Sequence, residues 1–361
     1  MSRLRVGIVG SGIGASHIEA YQRLPDLYEV VTLCDIAPER RDEVATRFGL
    51  PHQDATFEAL LARDLDIVDV CTPSNLHFEQ ALMALDAGRH VVIEKPVARS
   101  LREVDALIAA ESASAGRASP IFQCRFGNGL QKFFHLRSKG YAARASMATC
   151  EIHWFRDSVY YDAAAWRGTW QGETGGCLTT HAIHVHDIVC EVMGPVRSLF
   201  ARTANRVNGN QTEDMAVLSL EFGSGAFGAS SATLGSREQV SRLRFAFDDL
   251  VAESGRAPYD PGFDPWTFPH DDPAAAAAIS NALADFVPQP ERFVGQFHRL
   301  HAALTGDAPL PVTLADARRS IELLTAAYWS STTGEVVTLP LGPDHPFYGG
   351  WLAAMQEAAR G

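Results

Sequence analysis

Gly10, Gly12 and Gly14, with Ser11 and Ile13 between them, stand between an apolar run and a helical pattern, and Asp35 closes the next apolar run. Where a chain turns from strand into helix, missing side chains let backbone N–H groups approach a pyrophosphate at the positive helix end. A carboxylate at the end of the following strand accepts hydrogen bonds from ribose hydroxyls and repels a 2′-phosphate. Gly10, Gly12, Ile13, Gly14 and Asp35 therefore predict a dinucleotide site that prefers NAD to NADP. The spacing is G-x-G-x-G, one residue shorter than the usual G-x-G-x-x-G, so the flanking strand and helix carry much of the argument. Arg40 and Arg41 lie just beyond Asp35, where they either soften the preference or form a solvated helix face.

His181, His184, His186 and Asp187 invite a metal reading. At about 100° per residue, a helix turns His186 roughly 200° away from His184, so the imidazoles cannot converge and no metal site is predicted. Asp157 to Gly176 holds Tyr160, Tyr161, Trp166, Arg167 and Trp170, with Trp154 just before. Flat rings with polar edges suit the faces of a pyranose or cyclitol, or else they anchor a long loop. Arg125, Arg156 and Arg167 could together recognise an acidic group, although scattered surface arginines read the same way.

These residues need strands and helices to hold them. Leu4 to Val9, a helix over about Ala15 to Leu24, Glu29 to Cys34, and a helix from Pro38 to Phe48 stopped by Gly49 make a β-α-β-α unit. Ile67 to Cys71, a helix with Phe78, Ala81, Leu82 and Leu85 on one stripe, the stop at Gly88 and the run Val91 to Ile93 continue it. Such alternation predicts a doubly wound parallel sheet. The composition shifts to Ala, Ser and Gly near Ser112 to Pro120, placing a boundary that gives domains 1–122 and 123–361. In the second, Met215 to Phe222 and Ala226 to Leu234 around Gly223-Ser224-Gly225 read as a hairpin of a large, mainly antiparallel open sheet in an α+β domain. Ser254 to Pro273 lacks periodicity and reads as a lid or a surface loop. A helix from Thr313, with Asp316 in capping-box spacing, runs to Thr333 before a strand at Val336 to Leu339.

The 361 residues suit two cores, and 46% hydrophobic with 20% charged residues is ordinary for a globular protein. A net charge of −12, with thinly spread Lys and Arg, argues against nucleic acid as a partner. The six cysteines form no C-x-x-C pair, which fits reduced thiols in a cytosol rather than zinc or a disulfide framework. The N-terminus lacks a signal-peptide core, and no segment approaches the ~20 apolar residues of a membrane span, so a soluble, cytoplasmic protein is expected.

Three further stretches follow the glycine turn in order: Cys71-Thr-Pro-Ser-Asn-Leu-His77, Ala87-Gly-Arg-His-Val-Val-Ile-Glu94-Lys95-Pro96, and Gly175-Gly-Cys-Leu-Thr-Thr-His-Ala-Ile-His184-Val-His-Asp187. With Pro311-Val-Thr-Leu-Ala-Asp-Ala-Arg-Arg-Ser-Ile-Glu near the end, the chain resembles the glucose-fructose oxidoreductase, inositol dehydrogenase and MocA family over nearly its whole length. The resemblance implies a Rossmann domain, then a substrate domain whose sheet pairs subunits into a homodimer or homotetramer. It also implies sugars, cyclitols or their derivatives as substrates. Thr72, Pro73, Asn75, His77, Glu94 and Lys95 would join the glycine loop around the cofactor.

The resemblance makes Lys95 and His184 the catalytic pair. An ammonium can hydrogen-bond the substrate oxygen and stabilise alkoxide character, and an imidazole can take the hydroxyl proton near neutral pH. Pro96 would fix the turn aiming Lys95, in a bond the family often has in cis. Arg125 stands where family members often carry an arginine near substrate. With Lys95 and His184, substrate contacts are expected from Arg125, Trp154, Tyr160, Trp166, Arg167, Thr180 and His181. On a helix, Thr180, His184 and Asp187 would share one face toward substrate. The family usually has Asp four residues before the histidine; Thr180 stands there, and a hydroxyl is no carboxylate acid or base. Asp187 either orients the imidazole or holds the helix. The expected activity is NAD-dependent alcohol oxidation. A glycoside-cleaving or epimerising enzyme that recycles its NAD, and a non-catalytic sensor, are the alternatives.

Overall fold

The computed structural model describes residues 3–358. The chain divides into two compact units, one running to Gln123 and including Arg292–Arg318, the other Cys124–Glu291 with the chain from Arg319 onward.

In the first unit, β1 (Leu4–Val9), β2 (Tyr28–Cys34), β3 (His52–Asp54), β4 (Ile67–Val70), β5 (His90–Ile93) and β6 (Ala118–Pro120) form one six-stranded sheet in the order β3-β2-β1-β4-β5-β6. Every pairing is parallel. Burial on both faces explains the unbroken apolar runs: all four residues of β4 are buried, and Val6 and Ile8 of β1 have no exposed surface. Strand order reverses at β1 and β4, the point where such sheets open a crevice for ligands. The helix Pro38–Phe48 starts with Pro and ends at Gly49 in the left-handed conformation, φ 65°, which is what its sequence predicts. The first helix is Gly14–Gln22, shorter at its end than expected.

Arg292–Arg318, which a single cut near residue 122 assigns to the second domain, clusters with the first unit. Aromatic packing is the reason. Phe297, in the helix Arg292–Thr305, stacks on Tyr21 at 4.0 Å, and its carbonyl accepts the Tyr28 hydroxyl at 2.7 Å. Gln296 ties the same helix to the end of β6, accepting from Phe122 N–H and donating to the Pro120 carbonyl.

In the second unit, β7 (Ala145–Phe155), β8 (Val196–Ala204), β9 (Met215–Phe222), β10 (Phe227–Thr233), β11 (Gly235–Phe247), β12 (Val251–Ser254), β13 (Trp266–Thr267) and β14 (Val337–Thr338) form an eight-stranded sheet ordered β13-β12-β11-β7-β10-β9-β8-β14. Only β7 with β10 is parallel; the other pairings are antiparallel. The hairpin β9–β10 turns through Gly225, φ 85°, and β9 alternates exposed and buried residues as a one-sided sheet requires. The stretch from Ser254 to Pro273 is fastened down rather than lid-like: Phe263 and Trp266 are buried, and Trp266 Nε1 donates to the Pro261 carbonyl. A Cβ on Gly129 would meet the Trp266 ring at 2.0 Å, so this glycine is what lets the indole in. At the last long helix, Leu314–Thr333, Thr313 and Asp316 exchange hydrogen bonds as the capping box predicts.

Candidate functional site

In the first unit, the glycine turn lies at the strand-order reversal. Gly10 has φ 96°, and a Cβ there would lie 2.5 Å from the Cys71 carbonyl oxygen, so only glycine lets β1 and β4 close up at this point. Gly12 differs: an added Cβ would meet nothing nearer than Arg40 Nη2 at 3.5 Å. That open approach, beside a helix start with no side-chain cap and no acidic residue in its first turn, fits a pyrophosphate. Ile13 is exposed, as is Ile36 directly after Asp35.

Asp35 is where the strand pattern predicts it, held by its own loop. Oδ2 accepts from Ser11 N–H at 2.8 Å and Ser11 Oγ at 2.5 Å, while Oδ1 accepts from Ala37 N–H at 2.9 Å. Burial works to raise its pKa, but the Ser11 hydroxyl, the two backbone donors and the Arg40 charge outweigh it and hold the carboxyl below its usual range. Asp35 is therefore an ionised, pre-aimed acceptor at neutral pH, suited to ribose hydroxyls and repellent to a 2′-phosphate.

The strand end before Lys95 is braced by buried polar groups. Lys95 N–H donates to Glu94 Oε2 at 3.0 Å, and Glu94 Oε1 lies 3.2 Å from Nε2 of the buried His17. His17 Nδ1 meets Asp69 Oδ2 at 2.9 Å, and the Cys71 thiol lies 3.3 Å from Asp69 Oδ1. Burial alone would lower the His17 pKa, yet the Asp69 charge, Cys71 and the bonds to both raise it well above the usual imidazole value. On the other side of the turn, the His77 ring bridges the Pro96 and Thr72 carbonyls, each at 2.8 Å. Thr72 Oγ1 is given to Gln80. His77 and Glu94, expected at the cofactor, are thus buried braces that shape the loops around it, with Pro73 and Asn75 half-buried on the loop between. The Lys95–Pro96 bond is cis.

His17, Asp69 and Cys71 also form the one group of possible metal ligands within 4.8 Å of one another among the described residues. Both imidazole nitrogens already face carboxylates, so a protonated histidine, rather than a metal ligand, explains the geometry.

In the second unit, the Gly175-Gly176 pair exists because Tyr328 and Glu213 fill the space beside it. A Cβ on Gly176 would lie 1.8 Å from the Glu213 carbonyl oxygen, and one on Gly175 would lie 2.2 Å from the Tyr328 hydroxyl. The buried Glu213 carboxylate accepts from Gly176 N–H, Leu178 N–H and Tyr328 Oη, fixing the start of the next helix. Burial pushes its pKa up to about 7, those donors acting against the rise.

That helix begins as a π turn, Leu178–Ala182, before the α-helix Ile183–Met193. The change of period breaks the expected single face of Thr180, His184 and Asp187. Thr180 Oγ1 donates back to the Gly176 carbonyl at 2.7 Å and lies 2.5 Å from His181 Nδ1, so its hydroxyl is spent on its own turn. Because that carbonyl can only accept, the ring proton of His181 sits on Nδ1. His184 is half-buried. His186 turns into the sheet, Nε2 to Ser230 Oγ at 2.9 Å, and burial pushes its pKa down to about 4.

Arg125 is tied into its own unit by acidic partners. It grips buried Asp187 through two bonds of 2.6 Å and reaches Glu191 at 3.2 Å. A fork of this geometry anchors the Arg125 guanidinium on the helix, and it gives Asp187 the role of holding that helix.

Trp154 is buried, its indole N–H given to Ser241, with its ring 5.1 Å from His181 and 4.4 Å from Tyr259. Tyr160 carries the Arg156 and Arg167 guanidiniums over its ring at 4.7 and 4.3 Å, and Arg167 also lies over the half-exposed Trp166. Tyr160, Trp154, His181 and Arg167, four of the expected substrate contacts, are therefore brought together within this unit. Ser11, His17, Ile36 and Glu213 belong to these sites without having been expected there.

A glycine turn opening a parallel sheet at its strand reversal, with an ionised carboxylate two loops on, defines an NAD-binding Rossmann oxidoreductase domain. Residues 4–121 match the family described as "Oxidoreductase family, NAD-binding Rossmann fold", and residues 133–249 match "GFO/IDH/MocA C-terminal domain". The chain belongs to the GFO/IDH/MocA oxidoreductase family. It is similar to the WlbA dehydrogenase from Bordetella pertussis, solved in complex with NADH and UDP-GlcNAcA, with TM-score 0.82, 28% identity, and 94% of this chain and 100% of that one covered. A Bacillus subtilis protein named scyllo-inositol 2-dehydrogenase (NADP(+)) is 24% identical over 93% of this chain and 96% of its own. A Sphingobium relative named 4-carboxy-2-hydroxymuconate-6-semialdehyde dehydrogenase is 27% identical over 54% of this chain, and the match spans 60% of that relative's length.

Proposed function

We propose that the protein oxidises a carbinol carbon of a sugar, sugar acid or cyclitol with NAD, Lys95 and His184 handling the proton. The observation that carries the reading is the bracing of Lys95: Glu94 holds its N–H, His17 holds Glu94, and His77 ties the following Pro96 to the Thr72 loop. So many buried polar groups around one lysine are costly unless its position matters. The relatives' names support the substrate class, since one was solved with UDP-GlcNAcA and another is named for scyllo-inositol.

Gly10, Gly12 and Gly14 bind the dinucleotide phosphates at the helix start, and Asp35 takes the adenosine ribose. Bound there, NAD supplies the hydride acceptor. The Lys95 ammonium hydrogen-bonds the substrate oxygen and stabilises its developing negative charge, and His184 takes the hydroxyl proton. Thr180 contributes by shaping its turn and fixing the His181 tautomer. NAD is preferred to NADP because Asp35 is ionised.

The exposed face of the second sheet carries Met147, Met215, Val217 and Phe227, which favours pairing into a homodimer or homotetramer. Thiol chemistry agrees with a reducing, cytoplasmic setting: the six cysteines are free, and five of them are buried. No helix among the described residues is long and apolar enough to cross a membrane.

The test is a panel of sugars, uronic acids and inositols with NAD and with NADP, followed by absorbance of the reduced cofactor. The reading expects turnover with NAD that Lys95→Met abolishes. A protein that holds NAD yet reduces it with no member of the panel contradicts net dehydrogenation.

A further inference from the structure

Arg156 and Arg167 sit in an acidic protein without an acid to answer them. The chain has 43 Asp and Glu against 31 Lys and Arg, yet no carboxylate among the described residues lies within ion-pair distance of either guanidinium. The nearby acids are committed elsewhere. Glu173 Oε2 accepts from Gly168 N–H at 2.6 Å, and Asp157 Oδ1 caps the turn at Tyr160 N–H.

Each guanidinium is anchored through Nη1. Arg156 Nη1 donates to the Phe155 carbonyl at 2.8 Å and to Tyr259 Oη at 2.6 Å, and Arg167 Nη1 donates to the Tyr160 carbonyl at 2.9 Å. The Nε atoms of both are buried and have no partner. A buried donor on a cation that makes no hydrogen bond is expensive, and Nε with Nη2 is the edge on which arginine receives an oxyanion side-on. The surroundings add rings. Tyr160 lies under both cations, Trp154 and Tyr259 under Arg156, and Trp166 under Arg167, with His181 6.1 Å from Tyr160. Stacking holds the guanidinium planes still without neutralising their charge, which is preorganisation for an anion rather than for a neutral hydroxyl.

We propose that Arg156 and Arg167 form an oxyanion subsite of the substrate site, so that the substrate is a sugar carrying a carboxylate or a phosphate. The inference rests on the function proposed above and narrows it from sugars and cyclitols in general to acidic ones. Tyr160, Trp154 and Trp166 supply ring faces to the sugar, and the two arginines neutralise its charge.

Calorimetric titration of the NADH-loaded full chain with D-glucuronate, glucose 6-phosphate, D-glucose and myo-inositol tests this. At least one anionic sugar should bind roughly tenfold or more tightly than glucose, and Arg156→Gln or Arg167→Gln should weaken that binding by roughly ten- to a hundredfold while glucose affinity barely moves. Preference for glucuronate identifies a carboxylate as the source, and preference for glucose 6-phosphate a phosphate. Should the variants fold poorly, phenylglyoxal labelling of the unmutated protein, mapped by mass spectrometry, replaces them: the favoured anion must protect Arg156 and Arg167 and glucose must not. Equal binding of neutral and anionic sugars, no binding of either anion, or loss of protection overturns the subsite. Binding is read without turnover, so anion recognition with no NADH formation would count against the dehydrogenase reading alone.

Discussion

His17 Nε2 and Glu94 Oε1 lie 3.2 Å apart in the core of the first unit, and the other oxygen of Glu94 accepts the N–H of Lys95. An imidazole three residues into the nucleotide-binding helix is thereby coupled to the backbone of the residue proposed to do chemistry. Its second nitrogen faces Asp69, so two buried carboxylates share one imidazole.

His17→Leu removes the imidazole that both Asp69 and Glu94 face in the core and should cost about 3–5 kcal/mol of stability at neutral pH, read by urea unfolding. The folded pKa of His17 is raised, so its contribution is complete below the unfolded value of 6.5 and fades as pH climbs through the folded value. Wild type should therefore lose stability on the alkaline side and the variant should not. If His17 positions Lys95, kcat falls roughly tenfold or more while KM for NAD changes little. An unchanged kcat in a folded variant would make His17 a stability residue only.

Asp35→Ser should bring NADPH affinity to within roughly tenfold of NADH affinity, from a wild-type preference for NADH of roughly a hundredfold. Arg40, whose Nη2 comes within 3.5 Å of a Cβ built on Gly12, is at hand to receive the added phosphate once the carboxylate has gone. Fluorescence titration with both reduced cofactors decides it. Wild-type affinity that is already equal for the two would contradict the role given to Asp35.

Glu213 connects the Gly175-Gly176 turn to pH. Its folded pKa of about 7 lies above the unfolded 4.5, so the folded state holds an extra proton between those values and stability declines as pH rises through that window. The unfolding free energy of wild type relative to Glu213→Gln should fall by about 3 kcal/mol from pH 4.5 to 7 and then level off. Parallel curves for the two proteins would mean that the carboxyl is ionised throughout.

Arg125→Met separates a structural ion pair from substrate recognition. Removing the guanidinium from buried Asp187, which is 2% exposed, should cost about 3–5 kcal/mol, whereas KM of the folded variant for any sugar turned over should stay within about threefold. A large KM effect with normal stability would return Arg125 to the substrate site.

Much of the first unit was legible because its signals are local. Gly10 through Gly14, Asp35 at a strand end and Pro38 to Gly49 each state their role in a few adjacent residues, and the sheet follows from their alternation. The His17 network was not read, since its members lie on β4, β5 and the first helix and meet only when the sheet forms. Asp69 inside the apolar run Ile67-Val-Asp69-Val70 was the available clue, because a charge in a buried strand needs a partner. The π turn at Leu178–Ala182 breaks a face argument built on a constant helical period, and the pairing of Arg125 with Asp187 is invisible to spacing because the partner lies so far along the chain. Arg292–Arg318 belongs to the first unit through aromatic stacking on Tyr21 and an edge contact with Tyr28, contacts that no linear boundary can express.

The central proposal is that Lys95 and His184 serve one reacting oxygen. A double-mutant cycle of Lys95→Met and His184→Asn, measured as kcat/KM with NAD binding confirmed for each variant, tests it most directly. Each single change should lose roughly 10²–10⁴-fold, and the double should lose little more than the worse single, because the two act as a unit. Losses that multiply independently, or a Lys95→Met enzyme within a few-fold of wild type, would contradict it.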